Sequence, residues 1–158
     1  MPTPAYCTIN DGDIEGSVEI AGREGTIEVI KFEHNVHIPT DIHTGKSSGV
    51  RQHKPAVITK AYDASSPYLY KALTNGETLD TVQIDWYEID DLGDEVIYFT
   101  HLFERVKVSD MRSFSPNAKD PSMEHFTHME EVSFVYGKVT WTFTDGTLEH
   151  TDDWVAAR

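Results

Sequence analysis

A Gly-Lys-Ser triplet at Gly45-Lys46-Ser47 and eight histidines are the residues of this chain whose types first suggest chemistry. The triplet invites a phosphate-binding loop, in which backbone N–H groups of a glycine-rich turn cradle an anion at the start of a helix. That motif needs a second glycine five residues earlier, and Thr40 stands there. No helix pattern follows, because Gly49 and the charged run through Arg51, His53 and Lys54 to Pro55 interrupt it. The triplet therefore reads as the middle of a long polar insertion, His37 to Pro55, and not as a nucleotide site. A connection of that length without periodicity of its own is uncommon in a compact domain unless it has a task.

Among the histidines, His125 and His128 form the tightest group, with Glu130 and Glu131 just behind them. A hydrolytic zinc site needs two histidines four apart on one helix face with a glutamate directly after the first, and neither condition is met. His34, His37, His43 and His53 gather around the insertion, where exposed histidine needs no special reason. The carboxylate pairs Asp11/Asp13, Asp90/Asp91 and Asp152/Asp153 fall in turns or near the end of the chain and read as solvated. No serine stands in a Gly-x-Ser-x-Gly turn, and Cys7 on a strand reads as a small buried hydrophobe. The expectation is a protein with no catalytic residues, no metal and no cofactor.

The residues around these groups point to a mainly β chain. Short runs rich in Val, Ile, Tyr, Phe and Thr predict strands at Ala5 to Asn10, Thr26 to Val36, Pro55 to Ala61, Thr81 to Glu88, Glu95 to Val108, Met129 to Phe143 and Thr147 to Trp154. Val82, Ile84 and Trp86 alternate with Thr81, Gln83 and Asp85, the pattern of a half-buried strand. Asp90 to Asp94 and Asp145-Gly146 supply hairpin turns. One segment differs: Ser66 as cap, Pro67 at the first position and Gly76 at the end bound a helix to about Asn75. Its Leu69 and Leu73, and Tyr68 and Ala72, lie one turn apart and make an apolar stripe, with Lys71 and Asn75 facing water.

The fold class expected is a small antiparallel β-barrel, closed or nearly so, with one flanking α-helix and a long extended loop between strands. Two segments carry apolar residues on both faces. In Met129 to Phe143, Val132, Phe134 and Tyr136 point one way and Val135, Val139, Trp141 and Phe143 the other. Ile27 and Val29 likewise oppose Ile30 and Phe32. Such strands imply cover by the chain's own elements, a bulge, or a neighbouring subunit.

Composition narrows the class further. With 27 acidic against 13 basic residues and a formal net charge of -14, a broad phosphate-binding face for nucleic acid is not expected. Residues 1–158 read as one domain. The N-terminus lacks a basic start followed by an apolar run, so no cleavable signal is expected, and no stretch is apolar enough for membrane insertion. The single Cys7 fits folding in a reducing cytoplasm.

In their order and spacing, several segments together resemble the haemolysin-coregulated protein family, Hcp, the tube protein of bacterial type VI secretion systems. They are Met1 to Pro4; His37 to Asp41 with Thr44-Gly45, Ser48-Gly49, Arg51 and His53 to Pro55; and Pro67 to Leu73 with Gly76 and Leu79. Val82, Ile84, Trp86 and Tyr87, then Phe99 to Leu102 and Glu130 to Trp141, continue the likeness. The departure is the short stretch between Asn10 and Thr26, where relatives are longer.

The resemblance implies hexameric rings that stack into a hollow tube, made in the bacterial cytoplasm and secreted without a signal peptide into the medium or a target cell. It implies three kinds of partner: further copies of the chain, sheath and spike components, and small effector proteins held in the ring lumen. Under this reading the insertion is an arm, ordering on contact, whose subunit or ring-stacking residues are Thr40, Asp41, Thr44, Gly45, Lys46, Ser48, Arg51 and His53. A ring lumen used chiefly as an effector receptor and chaperone is the alternative role.

Overall fold

Among the described residues are eleven strands and one α-helix, and nine of the strands build one sheet about a shared core while the other two pair with each other. The computed structural model describes residues 4–144 and 148–154. The strands are β1 (Ala5–Ile9), β2 (Ile27–Val29), β3 (Lys31–Glu33), β4 (Val36–His37), β5 (Gln52–His53), β6 (Ala56–Ala61), β7 (Leu79–Ile89), β8 (Glu95–Phe114), β9 (Met129–Val135), β10 (Lys138–Phe143) and β11 (Leu148–Asp153), and the helix is α1 (Ser66–Asn75). The main sheet runs β2-β1-β7-β8-β9-β6-β3, with β10 and then β11 added along β8, and every pairing is antiparallel.

The sheet curls but does not close as a barrel. Its two ends, β2 and β3, are consecutive pieces of one segment separated only by Ile30, whose N–H donates to the Thr59 carbonyl at 2.8 Å. The chain turns there from β1 to β6, which explains the two-faced pattern. Ile27 and Val29 are buried on β2, whereas Ile30 is half exposed and Phe32 packs on the core's margin.

A second corner explains the other two-faced segment. The run Met129 to Phe143 is not one strand: it breaks at Tyr136-Gly137, so β9 joins one half of β8 and β10 the other. At the same level β8 bends through Arg105, which has a φ of 53°. A Cβ on Gly137 would sit 2.8 Å from the Arg105 Nε, so glycine lets the two bends face each other. Val132 and Phe134 on β9 and Val139 on β10 are all fully buried, one pair before the corner and one residue after it.

Two expectations for α1 shift by a residue or a face. Ser65, not Ser66, occupies the cap, Pro67 stands in the first turn, and Gly76 ends the helix with a φ of 65°. Leu69 and Ala72 are buried and Leu73 packs beside them, while Tyr68 is mostly exposed. The Asp90 turn forms as expected, with the Asp90 carboxylate accepting from the N–H groups of Leu92 and Asp94 at 2.9 Å each. The expected Asp145-Gly146 turn and the Met1 to Thr3 lead lie outside the described residues.

Between β1 and β2 the short segment folds back on itself, Gly16 N–H donating to Gly25 O at 2.8 Å. Arg23 fastens it, its guanidinium 3.9 Å from the Tyr87 ring centroid and 2.6 Å from Glu95.

Candidate functional site: the arm and its buried base

Residues 37–55 form a hairpin in two tiers. β4 and β5 pair at its stem, with Val36 opposite His53 and His37 opposite Gln52, and Thr40 bridges to Ser47 farther out. At the tip, Asp41 N–H donates to Lys46 O and Gly45 N–H to Asp41 O, both at 2.8 Å. The Asp41 carboxylate accepts from His43 N–H at 2.7 Å and from Thr44 N–H at 3.4 Å, and the Thr44 hydroxyl accepts from Lys46 N–H at 3.3 Å. The Gly45 and Lys46 amides are thus spent on the turn itself and are not free to cradle an anion.

This arm has hydrogen-bonded internal order of its own. Thr40, Asp41, Thr44, Gly45, Lys46 and Ser48 are all exposed on it, together with Ile42 at 89% and Val50 at 81% exposure. Arg51 and His53 point the other way, into the same chain. The Arg51 guanidinium grips Asp152 with two bonds, Nε to Oδ2 at 2.7 Å and Nη2 to Oδ1 at 2.8 Å. His53, its side chain fully buried, donates from Nε2 to Asp152 Oδ2 at 2.7 Å. The Arg51 hydrogen bonds, with a smaller contribution from His53, hold the Asp152 carboxyl below the usual carboxylate range against the opposing effect of burial.

Beneath that pair lies an aromatic base. The Tyr136 hydroxyl is 2.7 Å from His53 Nδ1 and 2.5 Å from His34 Nε2. Trp154 stacks on His53, centroids 5.0 Å apart, and donates from its indole to Tyr136 O at 2.7 Å. His34 in turn packs against His101, Phe103 and Trp141. Burial pushes the pKa of His34 and of His101 down to about 4, with the charge of a neighbouring histidine adding to the effect. Burial, and secondly Asp152, push the Tyr136 phenol up. A phenol so raised is a hydrogen-bonding hydroxyl and no nucleophile.

Sequence reasoning named Arg51 and His53 but missed His34, Tyr136, Asp152 and Trp154. It read His34 and His53 as exposed and Asp152 as a solvated terminal carboxylate. Both readings fail because the partners stand about a hundred positions apart in the chain, 101 for Arg51 and Asp152. The other histidine pair, His125 and His128, lies in the loop before β9, where His128 stacks on Tyr62. Among the described residues no three His, Cys, Asp or Glu side chains come close enough to hold a metal.

Fold and site together define the class: an antiparallel β domain with one covering helix and a projecting arm latched to its last strand. Comparison with known proteins agrees: residues 6–143 match the family described as "Type VI secretion system effector, Hcp". The chain belongs to the Hcp family. It is similar to the "Major exported protein" of Pseudomonas aeruginosa, 39% identical, with 98% of this chain and 96% of that one covered. Among solved structures it is similar to a substituted Hcp1 protein from E. coli EAEC 042 pathovar, 44% identical, TM-score 0.83, covering 98% and 99% of the two chains. It is also similar to the secreted protein Hcp3 from Pseudomonas aeruginosa, 34% identical, TM-score 0.78, covering 97% and 99%. The chain is accordingly a secreted tube protein of a type VI secretion system.

Proposed function

We propose that residues 1–158 act as one structural domain without catalytic activity, closing into a hexameric ring whose copies stack through the arm. One observation carries the reading: a hydrogen-bonded hairpin holds Ile42 and Val50 almost fully in water. Ordering exposed aliphatic residues costs free energy unless a partner covers them. Charge favours a second copy of this chain as that partner. With Arg51 paired to Asp152, the arm still presents exposed Lys46 and Lys54 against Asp41 alone, while the whole chain has a formal net charge of -14.

Under this reading Thr40, Asp41, Thr44, Gly45, Lys46 and Ser48 belong to the contact surface, and Arg51 and His53 hold it in place from below. Synthesis in the cytoplasm followed by export, contact with sheath and spike components, and small effectors in the lumen complete the proposal. Family membership supports these parts.

The test is an Ile42→Ser/Val50→Ser variant, which leaves the latch untouched. Rings should persist in analytical ultracentrifugation while stacked tubes disappear from electron micrographs. Tubes of normal length would sink the role given to the arm.

A further inference from the structure

The base of the arm contains more hydrogen-bonding nitrogen than a static anchor needs. Tyr136 has one hydroxyl proton, yet its oxygen lies within hydrogen-bond distance of a ring nitrogen on each side, His34 Nε2 and His53 Nδ1. It can donate to only one of them and must accept from the other. At the far end the choice is fixed, because the ionised Asp152 accepts from His53 Nε2. When His53 is neutral, its Nδ1 therefore has no proton and takes the Tyr136 hydroxyl, so His34 must donate from Nε2. When His53 is a cation, its Nδ1 donates to the Tyr136 oxygen, the hydroxyl turns to His34 Nε2, and the His34 proton resides on Nδ1. Both arrangements satisfy His34 Nε2, the Tyr136 oxygen and both His53 nitrogens.

We propose that His34, Tyr136, His53 and Asp152 form a proton-coupled latch, in which charging His53 beside Asp152 switches, through the Tyr136 hydroxyl, the nitrogen on which His34 carries its proton. The step balances. One proton from water adds to His34 Nδ1, the His34 Nε2 proton moves to the Tyr136 oxygen, and the former hydroxyl proton moves to His53 Nδ1. The sum is one proton gained, with the positive charge delivered next to Asp152 and Tyr136 left neutral.

A surface pocket of about 440 Å³ gives water access, lined by Glu33, His34, Asn35, Lys54, Pro55 and Ser133. The groups facing the chain from the surrounding elements are few. Glu33 and Lys54 stand at the pocket, Arg51 lies beyond Asp152, and Asp153 is paired with Arg105 at 2.5 Å. His101 on β8 has its ring centroid 6.1 Å from that of His34, but its Nδ1 accepts from the Trp86 indole at 3.0 Å and it lies outside the relay. Trp141 on β10 is uncharged. The latch thus stores one proton intact, and a second would leave the Tyr136 hydroxyl facing two donors with no acceptor. The low pKa of His34, to which the His53 charge contributes after burial, fits that second uptake.

The experiment is a long-range ¹H–¹⁵N correlation spectrum of the ¹⁵N-labelled full chain, recorded stepwise from about pH 9 down to about pH 5. His53 is expected to gain its second proton while His34 changes from the Nε2–H to the Nδ1–H tautomer with the same midpoint. In Tyr136→Phe, shown folded by its amide spectrum, His34 should keep one tautomer throughout. The proposal is overturned if the His34 tautomer stays fixed as His53 charges, or if neither ring changes over the range. It also fails if the two still switch together without the hydroxyl. The wild-type spectra decide the matter alone should the variant not fold, and no outcome depends on how rings stack.

Discussion

Lys60 and Glu130 stand opposite each other across β6 and β9, with Nζ 2.5 Å from Oε1 and both side chains wholly buried. The ammonium is further held by Asp63 at 3.0 Å and by the Ser66 hydroxyl and Ala61 carbonyl at 3.1 Å each. Ser66 also donates to Glu130 Oε1 at 2.6 Å, so the first residue of α1 is pinned to the sheet by the pair. Glu130 Oε2 has no hydrogen-bond partner among the described residues.

Removing one member of such a pair costs more than removing both. Lys60→Met should destabilise the fold by about 3–5 kcal/mol, because it leaves a buried carboxylate without a counterion. The double variant Lys60→Met/Glu130→Leu should recover most of that loss. Urea unfolding of the three proteins checks it, and a double variant as unstable as the single one would contradict the account.

Asp152→Asn tests the latch as a structural anchor. Asparagine can still accept from His53 but loses the charge-assisted grip of Arg51, a change worth about 1–3 kcal/mol. Hydrogen exchange should quicken at Val36, His37 and Gln52 in the stem, while the amides of β6 and β9 stay protected. Equal loss of protection in both places would show that Asp152 supports the whole sheet and not the arm in particular.

Acid should weaken the fold before it reaches the carboxylates. His34 and His101 titrate near about 4 in the native chain, below the ordinary histidine value to which they return on unfolding. The unfolded chain then binds more protons between about pH 6.5 and that value. Stability from these two rings is complete above the upper limit, falls through the window, and loses nothing further below about 4. Asp152, whose native value is lowered, adds its own loss only at still lower pH. A urea midpoint unchanged between about pH 7 and about pH 5 would refute the assignment.

Much of the fold was legible along the chain because strand periodicity is local. Val82, Ile84 and Trp86 gave the central strand its face, and the Asp90 to Gly93 turn fixed its partner. The two-faced runs at Ile27 to Phe32 and Met129 to Phe143 correctly signalled something unusual. A one-dimensional pattern does not distinguish a corner from a dry second face, and at both sites the structure shows a corner. The arm's position and length were equally plain, as were its exposed Lys46 and Ser48.

What the sequence determined by itself is therefore the β character, the single helix, the projecting insertion and the ordered segments that mark the Hcp family. These depend on residues near one another in the chain, whose preferences add up locally. Tertiary structure alone decided that Arg51 and His53 turn inward, that Asp152 is their partner, and that Tyr136 joins two histidines. Burial, and charges brought together from distant strands, set those roles, and neither quantity exists until the sheet has curled around its core.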